Sequence, residues 1–400
     1  MLLSIALILI VGLCLGFIFA KFNLPSLIGM LLAGILLGPS GFSLLDVKLI
    51  SISQEIRDLA LIIILLRAGL GISKETLKKI GKTAFKLSFI PGLLEGGALF
   101  LLAKYLFKLS WQAAGMLAFI IAAVSPAVIV PSMLQLIEKK LGKDKEVPTL
   151  VLASASIDDV FAITIFSIFL GIFKSGEVSI TNSLIQIPFK IIGGIGLGLI
   201  IAYLLNLFFE KYSNLELSYQ TIVLIVTAIL TTVIGDYFKV ASLLGVMTIG
   251  YLLLEKNKKL ATNLSLALNK LWIPAKVFLF VLIGAAVKVE IALNAGWLSI
   301  LLIFLGLIAR SIGVLIATHN SYLNLKERTF CVIAYLPKAT VQAAIGAVPL
   351  ANGVPSGELI LALAVMSIIL TAPLGAVGID YFAPQLLSQN KDYKLECQLE

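Results

Sequence analysis

Apolar runs of about twenty residues follow one another along almost the whole chain, with only short polar stretches between them. A helix of ~20 residues crosses ~30 Å of hydrocarbon, and lipid forces every backbone N–H and C=O to pair within the protein. Such a chain folds as a bundle of membrane-crossing helices. Composition agrees. Charged residues make up 13% of the 400 residues, against about 25% in soluble domains, and mean hydropathy is +1.06. The sequence reads as an all-α polytopic membrane protein with about thirteen transmembrane helices. The crossings near 24–42 and 241–254 are short or glycine-rich, and the first apolar run lacks the basic n-region of a signal peptide.

The net charge of +9 points to topology rather than to a nucleic-acid partner. Lys74, Lys78, Lys79 and Lys82 follow the third crossing, and Lys139, Lys140, Lys143 and Lys145 the fifth. Lys256, Lys258, Lys259 and Lys270 follow the ninth, Lys326 and Arg328 the eleventh, and Lys391 and Lys394 the last. Intervening loops carry few basic residues, such as Lys48, Lys174 and Lys288. By the positive-inside rule the rich loops are cytoplasmic, with the N-terminus outside and the C-terminus inside a plasma or bacterial inner membrane. Cys14, Cys331 and Cys397 are too scattered for a metal set or a disulfide framework. No cofactor is expected.

Against this background the stretch Ala153 to Ala162 stands out, because it places Asp158 and Asp159 side by side in an apolar helix. Each mid-helix aspartate costs roughly 2.5–3.5 kcal/mol to insert, and Leu or Ala would pack equally well. The pair is therefore a functional feature. Glu95, Arg310 and Lys338 lie at similar depth in their own crossings. Glu95 is too deep to snorkel and calls for a buried cation; Arg67, nearer a helix end, is read as snorkelling. The five groups carry formal charges of −3 and +2. Neighbouring carboxylates in low dielectric titrate as a coupled pair and can hold protons near neutrality. A site that holds either protons or a small hard cation is an exchanger.

Proline marks two further crossings. Ser125-Pro126 and Pro131 predict a helix broken into halves, tolerated only in protein or beside water. Pro337-Lys338, with Thr340 and Gln342, predicts a second break. Thr371-Ala-Pro373 lies in the last crossing. Gly193 to Gly198 reads as close helix packing, since no strand precedes it to make a phosphate loop. Breaks at matching positions of two oppositely oriented halves indicate inverted repeats with two broken crossing helices, the pattern of a transporter's midplane site. An aspartyl protease needs its two aspartates on facing helices, so no enzyme is expected.

Three motifs carry a resemblance that runs from about residue 85 to 380. Ser125–Met133, Ser154–Asp159 and Leu336–Gln342 resemble those of the monovalent cation–proton antiporters, nearest the NHA branch of sodium/proton exchangers. The resemblance implies a homodimer in which a core moves, elevator-like, against a dimerisation domain. It implies dimerisation helices at 1–82 and 211–290, core helices at 83–173 and 291–388, a linker at 174–210 and a cytoplasmic tail at 389–400. It implies that Asp159 carries the ion with Asp158 beside it, that Glu95 and Arg310 form a buried ion pair, and that Lys338 stands at the second crossover. The transported ions are then H+ and Na+ or Li+; K+/H+ exchange and sodium-coupled organic-solute symport are the alternatives. If Arg310 is occupied by Glu95 and Lys338 serves only the helix dipoles, Asp158 is free to carry a second proton. Exchange is then electrogenic.

Overall fold

A computed structural model describes residues 1–22, 24–175, 180–212, 214–287 and 296–388. Lys288, Lys391, Lys394, Cys397 and the expected tail lie outside the described residues. Among the described residues there is no strand, and nine helices are long and apolar enough to cross a membrane. Shorter apolar helices, Ser26–Leu37 and Thr340–Ala351, accompany them. The chain is a multi-pass helical membrane protein.

The chain divides into two compact units. One comprises Met1–Ile50, Ile80–Leu184 and Phe280–Glu400, and the other Ser51–Lys79 and Ile185–Leu279. In the smaller unit the Ser53–Gly69 helix packs on Ser242–Lys256 and Leu217–Tyr237. A Cβ on Gly194 would strike the Ala241 carbonyl, so the Gly193–Gly198 run serves backbone-to-backbone helix packing. Arg67 differs from its expected snorkelling position. It is only 7% exposed, because its helix is buried continuously from Ala60 to Leu70.

The larger unit holds every charged residue singled out above at mid-depth. Its Ile90–Leu106 helix packs on Gly296–Ala317 and on Trp111–Ala122, which in turn packs on Val147–Ser175. Ser26–Leu37 meets the end of Lys258–Ala285 so closely that a Cβ on Gly34 would strike the Val281 carbonyl.

One stretch read as a loop is helical. Lys74–Leu87 forms a helix that ends before Ile90–Leu106 begins. Ile80, Thr83, Ala84 and Leu87 are its buried face, at the i, i+3, i+4, i+7 spacing of an amphipathic helix. Its lysines occupy the exposed face.

Candidate ion-binding site

The site is built on two interrupted helices. Trp111–Ala122 stops, residues 123–125 run extended, and Pro126–Glu138 begins. Pro126 sits in the first turn of the second half-helix, where a missing N–H costs nothing. The second interruption follows Leu325–Ala334, whose start is fixed by a capping box between Asn324 and Glu327. The chain becomes helical again at Thr340. Each interruption strands backbone groups that lipid could not satisfy.

The two breaks satisfy each other. The Ser125 N–H donates to the Pro337 carbonyl at 3.0 Å. The Gln342 amide donates to the carbonyls of Ile120 at 2.8 Å and Ala123 at 2.9 Å. Lys338 Nζ reaches the Ala122 carbonyl at 3.3 Å, which puts its positive charge at the negative end of the first half-helix. The Lys338 N–H is satisfied from outside the two breaks, donating at 2.9 Å to Thr371 Oγ1 on the Gly357–Leu386 helix. Ser125 Oγ and Thr340 Oγ1 lie 3.5 Å apart. Ala123, Val341 and Ala162 form a small apolar cluster beside the breaks.

Four charges converge here, and Glu95, Asp158, Arg310 and Lys338 are each fully buried. Lys338 Nζ donates to Glu95 Oε2 at 2.7 Å. Arg310 Nη2 donates to Asp158 Oδ2 at 2.8 Å. The same oxygen accepts from the Val124 N–H at 3.3 Å, at the positive end of the Pro126–Glu138 half-helix. Arg310 Nη1 also lies 2.9 Å from Glu95 Oε2 but without hydrogen-bond alignment, so that contact is Coulombic. Two carboxylates and two cations thus form one neutral network. Asp159 is outside it. Its Oδ1 is buried and has no hydrogen-bond partner among the described residues. Oε1 of Glu95 and Oδ1 of Asp158 also lack hydrogen bonds, but each of those side chains is held through its other oxygen.

The buried Glu95–Arg310 ion pair is present, and Arg310 makes a second contact that was not expected, a hydrogen bond to Asp158. Lys338 serves the helix end as expected, but it also pairs with Glu95. A guanidinium offers five donors in a fixed fork, enough for two carboxylates and a carbonyl at once. The breaks bring Ser125, Thr340 and Gln342 to one place as expected, while Pro131 sits within the second half-helix, one turn beyond the crossing.

Four residues have roles that the sequence reading did not assign. Thr371 accepts from Lys338, as above. Tyr335 accepts from Arg310 Nε through its carbonyl at 3.0 Å, and its hydroxyl bonds Ser154 Oγ. A Cβ on Gly92 would lie 2.8 Å from Asp158 Oδ1, so glycine here lets that carboxylate sit against the Ile90–Leu106 helix without shifting. The clues available in sequence were Thr371 before a proline, a glycine one turn before Glu95, and a serine one turn before Asp158.

Comparisons with known proteins converge on one description. A family model described as sodium/hydrogen exchanger, transmembrane, matches residues 5–382. Over 392 residues the chain is 34% identical to human sodium/hydrogen exchanger 9B2, covering 93% of this chain and 72% of that protein. It is 30% identical over 398 residues to human sodium/hydrogen exchanger 9B1, covering 94% and 75%. The fold matches the sodium proton antiporter MjNhaP1 from Methanocaldococcus jannaschii with a TM-score of 0.76 at 21% identity, over 96% of this chain and 97% of that one.

Proposed function

The chain belongs to the sodium/hydrogen exchanger family, whose members exchange a cation for protons across a membrane, and we propose that Asp159 is the group on which the two ions compete. One observation carries this reading. Glu95 and Asp158 are each met by a fixed cation, whereas Asp159 has a buried oxygen with no hydrogen-bond partner among the described residues. Carboxylate, hydroxyl and carbonyl oxygens suit hard monovalent cations, so Na+ or Li+ is the substrate beside H+. The Ser125 and Thr340 hydroxyls, 3.5 Å apart at the crossing, are oxygen ligands of the kind such a cation takes.

The charge count also supports a reading of the coupling. With Asp158 paired to a guanidinium that stays charged under all conditions, only Asp159 is left to trade a proton for the cation. Exchange is therefore one proton for one cation and carries no net charge. The two-proton scheme rests on an Asp158 without a fixed partner, and its contact with Arg310 favours the one-proton scheme instead.

The remaining parts of the reading rest on the family. Core helices 83–173 and 291–388, including both breaks, move as a body against a scaffold at 1–82 and 211–290 that forms a homodimer. The two halves are inverted repeats joined through 174–210, with about thirteen crossings in all, and by the positive-inside rule the N-terminus is outside the cell membrane. Lipid surrounds the dimer, and no cofactor takes part.

Proteoliposome transport tests the assignment. Asp159→Asn abolishes Na+-driven proton movement while leaving the protein folded at wild-type thermal stability, because no ion pair is lost. Wild-type exchange by this variant would refute the role of Asp159. Running Na+, Li+ and K+ in parallel, with and without a pH gradient, separates Na+ or Li+ exchange from K+ exchange and from symport.

A further inference from the structure

Tyr335 is fully buried at the second break, touches Arg310 in two ways and is anchored by a third contact. Its carbonyl accepts from Arg310 Nε at 3.0 Å. Its ring lies 5.4 Å from the Arg310 guanidinium carbon, a distance at which an aromatic face attracts a cation. Its hydroxyl is hydrogen-bonded to Ser154 Oγ. Ser154 donates its own proton to the Leu150 carbonyl at 2.7 Å, so in that bond the phenol is the donor. Ser154 stands one helical turn before Asp158 on the same helix. Tyr335 therefore ties the guanidinium to the very helix that carries its carboxylate.

That arrangement matters because Arg310 has a choice. Two carboxylates lie within its reach, Glu95 at 2.9 Å and Asp158 at 2.8 Å, and Glu95 already has Lys338. A guanidinium turns about its long side chain unless its plane is held. Nε fixed on a carbonyl and an aromatic ring beside Cζ hold that plane, and the aligned Nη2 then falls on Asp158. The phenol–serine bond holds the ring.

We infer that Tyr335 is a positioning residue that keeps Arg310 on Asp158 and so limits the exchange to a single proton. This deepens the reading above and rests on it. Without the ring, Arg310 is free to favour Glu95, and Asp158 becomes a second carboxylate able to take up and release a proton as the cation comes and goes.

Protons released when Na+ binds to the detergent-solubilised protein test this without requiring transport. They are counted by calorimetry in buffers of different ionisation enthalpy. Wild type releases about one proton per Na+. Tyr335→Leu moves the count toward two, and Tyr335→Phe and Ser154→Ala, which remove only the anchoring bond, shift it less in the same direction. Wild-type counts in all three folded variants would overturn the role of Tyr335. Should Tyr335→Leu not fold, an unchanged count in the two milder variants overturns it equally. A wild-type count near two would instead refute the one-for-one reading, and Asp159→Asn, which must release none, checks the site itself.

Discussion

The two helix breaks look equivalent in outline and differ in chemistry. The first, at residues 123–125, contributes only backbone and one hydroxyl: the N–H groups of Val124 and Ser125, the carbonyls of Ala122 and Ala123, and Ser125 Oγ. The second contributes the side chains of Lys338, Thr340 and Gln342 together with the Tyr335 and Pro337 carbonyls. One break presents unpaired groups and the other supplies what pairs them. The lesson is that two broken helices at membrane depth can satisfy each other, provided one of them carries the charge and the amide. Once that is done, of the three carboxylates at this depth Asp159 is the one with no hydrogen-bonded cation among the described residues, and it lies on a neighbouring, unbroken helix.

This contrast predicts an order of damage. Arg310→Ala is the most harmful, since it strips the cation from Asp158 and weakens the hold on Glu95. Breaking one buried pair by removing a partner typically costs about 3–5 kcal/mol, and here two carboxylates lose at once. Lys338→Ala comes next, with a loss near the lower end of that ~3–5 kcal/mol range, because Arg310 remains beside Glu95. Thermal unfolding followed by size-exclusion chromatography ranks the two; equal stability of both variants and wild type would mean the network does not brace the core.

Changes to the uncharged caps sharpen the same comparison. Gln342→Leu leaves the Ile120 and Ala123 carbonyls without their amide donor, and each buried group left unsatisfied costs about 1–3 kcal/mol. Thr371→Val removes one acceptor from one N–H and belongs at the low end, about 1 kcal/mol. Hydrogen exchange at the breaks reads this out. If the breaks really complement each other, Gln342→Leu loosens residues 120–125 although the substitution lies on the other break. Loosening confined to residues near 342 would show that the two are independent. Smallest of the stability effects is Gly92→Ala, whose added carbon lies 2.8 Å from Asp158 Oδ1. Oδ1 is not the oxygen that Arg310 holds, so the carboxylate shifts slightly with its ion pair kept, and thermal stability changes least.

Much of this arrangement was legible in the residues themselves. The cost of Asp158 and Asp159 in lipid marked the site, and proline in two crossings marked both breaks. Depth along the helices brought Glu95, Arg310 and Lys338 to one level. What depth does not determine is rotation. That Arg310 hydrogen-bonds Asp158 while lying beside Glu95 depends on the azimuth of three helices and on a backbone carbonyl at Tyr335, a group every residue has and no pattern reveals. Thr371 was hidden for a similar reason, since its partner is the main-chain N–H of Lys338. The Lys74–Leu87 helix is a different case. Its Ile80, Thr83, Ala84 and Leu87 spacing is visible in sequence, but the four lysines between 74 and 82 drew attention to topology instead.

The central claim is that four buried charges close on one another and leave Asp159 to carry a single proton against a single cation. Proteoliposomes adsorbed on a solid-supported membrane measure it directly. Under a Na+ gradient alone the account predicts vigorous proton exchange, unaffected by clamping the membrane potential, with no accompanying current. A transient current that rises with Na+ over the same range as exchange, and that vanishes in Asp159→Asn, would contradict it and return Asp158 to the role of a second proton carrier.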